Sequence, residues 1–117
     1  MRSADDDVQV VEVGRLSGPG EIVDLRRLGY FVAVAGELNF SRAAVTVGIS
    51  QQALSSQIRC LEREIGRTLF FRTTRRVELT PAGRALLPKA RASLASAAEA
   101  LESARAAEPD RRYNPWL

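Results

Sequence analysis

The chain has 117 residues, 45% hydrophobic, 6% aromatic and 26% charged. That is room for one small domain with tails, and too little for most multi-domain enzymes or a doubly wound fold with its own ligand crevice. It contains no histidine and a single cysteine, Cys60, which removes histidine metal sites, the commonest general base and an internal disulfide together. No metal or cofactor is expected, and with no nucleophile–base pair or phosphate loop an enzyme is excluded. No apolar run approaches the roughly 20 residues of a membrane helix, and Asp5, Asp6 and Asp7 disqualify the N-terminus as a secretory signal, so the expected location is cytoplasmic.

The formal net charge of +3 is unevenly spread. Residues 1–24 carry two arginines against six acids, whereas residues 41–91 carry ten basic side chains against Glu62, Glu64 and Glu78, a local charge of +7. A basic middle between acidic ends suits a polyanion, but charge alone leaves a solvated ion-paired face equally open. Sixteen arginines against one lysine reflect a GC-rich genome rather than an arginine-specific function. Either side chain neutralises phosphate.

Residues 1–22 show no sustained period and include Ser17-Gly18-Pro19-Gly20, so they read as an acidic, disordered arm. Asp24 is a good N-cap for a first helix over 24–35, with Leu25, Leu28, Phe31, Val32 and Ala35 on one face and Gly36 as its stop. Tyr30 and Phe31 read as packing groups. A short second helix is expected from Ser41 as N-cap, with Phe40 and Val45 forming a hydrophobic staple and Gly48 ending it. A third starts at Ser50, where Leu54, Ile58, Leu61 and Ile65 recur at spacings of four, three and four before Gly66.

Strands over 69–72 and 77–80 flank the turn Thr73-Thr74-Arg75-Arg76. Thr80-Pro81, a cap followed by proline at the first helical position, opens a long helix over 81–107. There Leu87, Leu94 and Leu101 alternate with Ala90 and Ala97 in a heptad that predicts a pairing seam, and Pro88 predicts a kink. Residues 108–117 read as a frayed tail.

The informative stretch is 40–59. Two helices meet at a turn containing Gly48, with Ala44 allowing close crossing. Outward on the third helix stand Ser50, Gln51, Gln52, Ser55, Ser56 and Arg59, short or amide side chains able to bond base edges or phosphates, with no carboxylate among them. A generic helical hairpin with a solvated face would show the same spacing. The basic turn that follows, with Arg72, Arg75 and Arg76, has the layout of a wing reaching backbone or minor groove. Arg42, on the second helix, joins this DNA-facing set. Cys60 reads as a quiet, partly buried thiol.

Several of these runs together resemble the LysR-type transcriptional regulators. The similar segments are Asp24-Leu25-Arg26-Arg27-Leu28 with Tyr30-Phe31, Asn39-Phe40-Ser41-Arg42-Ala43-Ala44, Ile49-Ser50-Gln51, Ala53-Leu54-Ser55, Gln57-Ile58, Leu61-Glu62, Leu69-Phe70, 72–76, and Leu79-Thr80-Pro81-Ala82-Gly83. The resemblance covers roughly 23–105. It implies a mainly α fold, a winged helix-turn-helix over 23–80 (three helices and a two-stranded wing over about 69–80) followed by a long dimerisation or linker helix. It implies recognition of dyad-symmetric promoter DNA as a dimer or tetramer, with Gln51, Ser55, Arg72 and Arg75 at the family's base- and backbone-contacting positions.

Departures from the family pattern are Gln52 for proline or serine, Ser56 for the frequent arginine or lysine, Phe71 for the acid before Arg72, and Val47 for leucine. Family members continue into an effector-binding domain, so no small-molecule effector is expected to bind these residues. Val23 stands where family proteins begin with methionine, which marks 1–22 as a candidate over-extension of the reading frame. The alternative function is a dimerisation module, or truncated fragment, that pairs with full-length regulators without productive DNA binding.

Overall fold

The computed structural model describes residues 24–112 and 116; the arm expected over 1–22 and part of the tail lie outside the described residues. Within them the order is α1 (Leu25–Glu37), α2 (Phe40–Val47), α3 (Gln51–Ile65), β1 (Phe70–Arg72), β2 (Val77–Leu79) and α4 (Pro81–Ala106). Asp24 caps α1 as its position predicts, its carboxylate accepting from Arg26 N–H at 2.9 Å. The period of α1 buries Leu28, Phe31, Val34 and Ala35.

Two boundaries differ from expectation. Gly36 does not stop α1, which runs on to Glu37 and ends at Leu38, held at φ 49° in the left-handed region. For a leucine that conformation costs roughly 1–2 kcal/mol. It persists because Leu38 and Asn39 alone connect two helices, and Leu38 N–H closes on Val34 O at 2.7 Å. Asn39, not Ser41, then caps α2 by accepting from Arg42 N–H at 2.8 Å. The expected staple is absent for the same reason. Phe40 is inside the helix and buried at 8% exposure, while Val45 points to solvent at 82%.

The centre of the domain lies under Phe40. Its ring meets Phe70 edge-on at 5.9 Å, and Phe70 in turn packs on Phe31 at 5.4 Å. Phe31, Val34, Leu54, Ile58 and Leu69 are fully buried around them. Ala43 and Ala44 are buried where α2 crosses α3, and Gly48 takes φ 76° to make the turn, both as the spacing predicts. Ser50 caps α3 by accepting from Ala53 N–H at 3.0 Å, and Gly66 ends it at φ 79°. Behind α3, Arg27 of α1 donates to Gln57 at 2.8 Å and is ion-paired with Glu64. This join is only about one-fifth exposed, so Arg27→Ala is expected to cost about 1.5–3 kcal/mol, read as a lower urea midpoint.

The hairpin is antiparallel, with Phe70 opposite Leu79, Phe71 opposite Glu78 and Arg72 opposite Val77. Thr73 closes its tip: its N–H donates to Arg76 O at 2.8 Å and its hydroxyl accepts from Arg76 N–H at 3.0 Å. At the base, Thr80 is buried, donates to Thr68 O at 2.7 Å and caps α4 by accepting from Gly83 N–H at 3.0 Å. The first turn of α4 thus lies directly on the strand. A Cβ at Gly83 would collide with the Leu69 carbonyl oxygen and stand 2.8 Å from Leu79 Cδ2. Because one obstacle is backbone, Gly83→Ala is expected to destabilise by about 1–3 kcal/mol in urea unfolding.

Helix α4 continues through Pro88 and ends at Ala106. Its first half belongs to the domain: Ala90 is 1% exposed, and Leu86, Leu87 and Leu94 pack against the core. Ala90 therefore does not sit on an open pairing seam as its heptad position predicts, because that face is taken by its own chain. From residue 98 to 106 the helix is exposed throughout, with Leu101 at 59%.

Candidate nucleic-acid interface

The N-termini of α2 and α3 and the hairpin tip face one another across an open cleft of about 300 Å³, lined by Asn39, Ser41, Gln51, Ser55 and residues 72–77. Each side arises locally. Asn39 and Ser50 start their helices here because both accept from backbone N–H groups of their first turns, leaving other first-turn donors outward, where anions are favoured. The hairpin supplies the opposite wall because Thr73 folds its tip back on itself.

The α3 positions singled out from the sequence fall on this side of the molecule. Gln51, Gln52, Ser56 and Arg59 are exposed, and Ser55 is half-buried at the cleft. Gln51, Gln52, Ser55 and Arg59 line one continuous surface. Ser50 is exposed, but its hydroxyl is occupied as the α3 cap. Ser41, expected as a cap, instead donates from its hydroxyl to Gln51 Oε1 at 2.8 Å. Arg42 leans back toward α1, its Nε 3.4 Å from Glu37 Oε1. Both groups are exposed, so that pairing is weak and screened.

The three wing arginines separate. Arg75 and Arg76 are exposed at the tip; Arg76 lies 3.8 Å from Glu78, again between exposed groups. Arg72 does not extend outward as its place in the basic turn suggests. Alternation along β1 points Phe70 and Arg72 inward and Phe71 outward. The Arg72 guanidinium lies 4.2 Å from the Phe40 ring centroid, and its Nη2 is 3.9 Å from Glu62 Oε1. Nη2 is buried without a hydrogen-bond partner, and burial lowers the arginine's pKa against the raising effect of Glu62, with Arg59 lowering it further. Glu62 also accepts from Leu69 N–H at 2.7 Å. This carboxylate ties α3 to the start of the wing, a role that Leu61-Glu62 in the sequence did not disclose.

Cys60 is half-buried and unbridged, with Arg63 Nη2 3.2 Å from its sulfur. Among the described residues no group of three His, Cys, Asp or Glu side chains is placed to hold a metal ion, and no helix is long and apolar enough to cross a membrane. The surface offers amides, hydroxyls and guanidinium groups, suited to hydrogen bonding and neutralising a polyanion.

Three helices, a two-stranded wing and a long following helix define a winged helix-turn-helix protein. Residues 25–84 match the family described as bacterial regulatory helix-turn-helix protein, lysR family, and the chain belongs to that family of transcriptional regulators. It is similar to the HTH-type transcriptional regulator ShiR of Corynebacterium glutamicum (strain R), with 56% identity over 86 residues, 74% of this chain and 29% of ShiR. The chain thus spans under a third of that relative's length. The fold is shared with the CbnR DBD–DNA complex, at 38% identity and TM-score 0.69 over 72% of this chain and 97% of that one. It is shared equally with the BenM DBD/catB site 1 DNA complex, at 37% identity and TM-score 0.68 over 71% and 93%.

Proposed function

We propose that this chain binds double-stranded promoter DNA sequence-specifically in the cytoplasm, with α3 in the major groove and the wing tip on flanking backbone or minor groove. The observation that carries the reading is the joining of two surfaces: the amide and hydroxyl face of α3 runs into a cleft whose far wall carries Arg75 and Arg76. Gln51, Gln52, Ser55 and Ser56 read base edges, while Arg59, Arg75, Arg76 and the more loosely placed Arg42 neutralise phosphates. Ser50 sets the helix start. Arg72 positions the wing from beneath.

The DNA-reading unit extends over residues 23–80, with 81–107 as the linker helix. Homodimers, and tetramers built from them, form through α4, whose distal half is exposed around Leu101, with Ala97 half-buried at its edge. Leu87 and Leu94 are half-buried in their own chain and Ala90 fully so, which moves the pairing surface outward along the helix. That same surface supports the second reading, pairing with full-length regulators without productive DNA binding. Fluorescence anisotropy with labelled duplex DNA across a salt series separates the two. A DNA reader shows log K falling linearly with log salt concentration. No binding at low salt by an intact dimer would reject the first reading.

A further inference from the structure

Resting on that DNA-reading role, we propose that Ser41 is a specificity-determining positioning residue. Its contact with Gln51 anchors that side chain on the cleft surface and leaves the rest of the amide for the incoming base pair. The arrangement crosses the helix-turn-helix: Ser41 lies in the first turn of α2 and Gln51 is the first residue of α3. Their side chains meet at 2.8 Å on the cleft surface. Asn39 already caps α2, so Ser41 is not needed to start its own helix. Gln51 Nε2 makes no hydrogen bond among the described residues.

An unrestrained glutamine loses side-chain freedom when it pairs with a base edge. Here the Ser41 hydroxyl, able to donate to Oε1 or to accept from Nε2, holds the amide in place whichever way it is turned. The anchored amide can pair with a donor or an acceptor in the major groove, and anchoring sharpens discrimination at the one base pair it meets. The chemistry recognised is therefore the major-groove edge of a single base pair. Ser41 need not touch the DNA.

The test is selection of bound sequences from a pool of randomised duplexes, using the full chain and its variants, with salt slopes on one selected duplex. Ser41→Ala is expected to shrink the preference at one base pair by roughly fivefold, the worth of one hydrogen bond, without altering the salt slope. Ser41→Thr, which keeps the hydroxyl, is expected to restore it. Gln51→Ala should flatten the same position, and adding Ser41→Ala to it should change nothing further. Two outcomes overturn the proposal: an unchanged Ser41→Ala profile, with or without the uniform loss of affinity that marks a direct phosphate contact, or additive effects of the two substitutions. If the unsubstituted chain enriches no sequence at all, the DNA-reading role itself fails and this one falls with it. Enrichment with an unaltered Ser41→Ala profile removes only the positioning role.

Discussion

Replacing Arg75 and Arg76 together by alanine is expected to lower the slope of log K against log salt concentration by about two, weakening binding to all duplexes alike. Both side chains stand exposed at the wing tip, and the only acid paired with either among the described residues, Glu78, is itself exposed and 3.8 Å from Arg76. Neither contributes to the core, so the thermal midpoint should not move. Arg72→Ala is expected to behave differently. Its guanidinium rests on Phe40 and faces Glu62, so the loss falls on stability, about 1–2 kcal/mol from the cation–ring contact and the stem's packing. Any effect on DNA binding should follow from a loosened wing. Arg72→Met, which keeps the stem and removes a charge with an unbonded buried nitrogen, should retain more stability than alanine. Urea titration beside anisotropy distinguishes these outcomes. An Arg72→Ala variant of full stability with a slope reduced by one would show that the residue contacts phosphate directly.

Leu101→Asp is expected to weaken self-association by at least about 100-fold in sedimentation velocity, since a symmetric pair loses two buried leucines at roughly 1.5 kcal/mol or more each. Leu101 is 59% exposed, so the single chain should keep its unfolding midpoint. Leu94→Asp would mix two effects, because Leu94 packs on the chain's own core. Charge reversal at Arg91, which is exposed, is expected to change association far less. Equal effects of Arg91 reversal and Leu101→Asp would refute a pairing surface centred on the distal helix.

Much of the architecture could be read from residue order. Ser50, Gly48 and the four-three-four spacing of Leu54, Ile58, Leu61 and Ile65 define α3 with little help from tertiary structure, and Thr80-Pro81 announces α4. Start and stop signals failed at the short connection between α1 and α2. Asn39 and Ser41 are both good caps two residues apart, and the choice is made by Phe40, which must be buried beside Phe70. Gly36 lost to Leu38 because the next helix begins at once. The inward turn of Arg72 follows from strand alternation with Phe70, which is core, but the cluster of arginines around it masks that signal. The Arg27–Gln57–Glu64 join and the Ser41–Gln51 contact could not be read in advance. Each joins different helices, and sequence spacing says nothing about distance across a fold.

Gly83 gives the molecule a mechanical property. Where α4 leaves the wing there is no side chain to act as a cushion; the helix backbone sits against the Leu69 carbonyl, and Thr80 bonds both neighbours. Clamped in this way and packed on the core as far as Leu94, the helix projects residues 95–106 as a lever about 18 Å long. In a pair joined by their outer arms, the crossing angle of the two levers sets the separation of the two reading heads. A substitution far out on α4 could then retune which operator spacing is accepted while leaving every DNA-facing residue untouched.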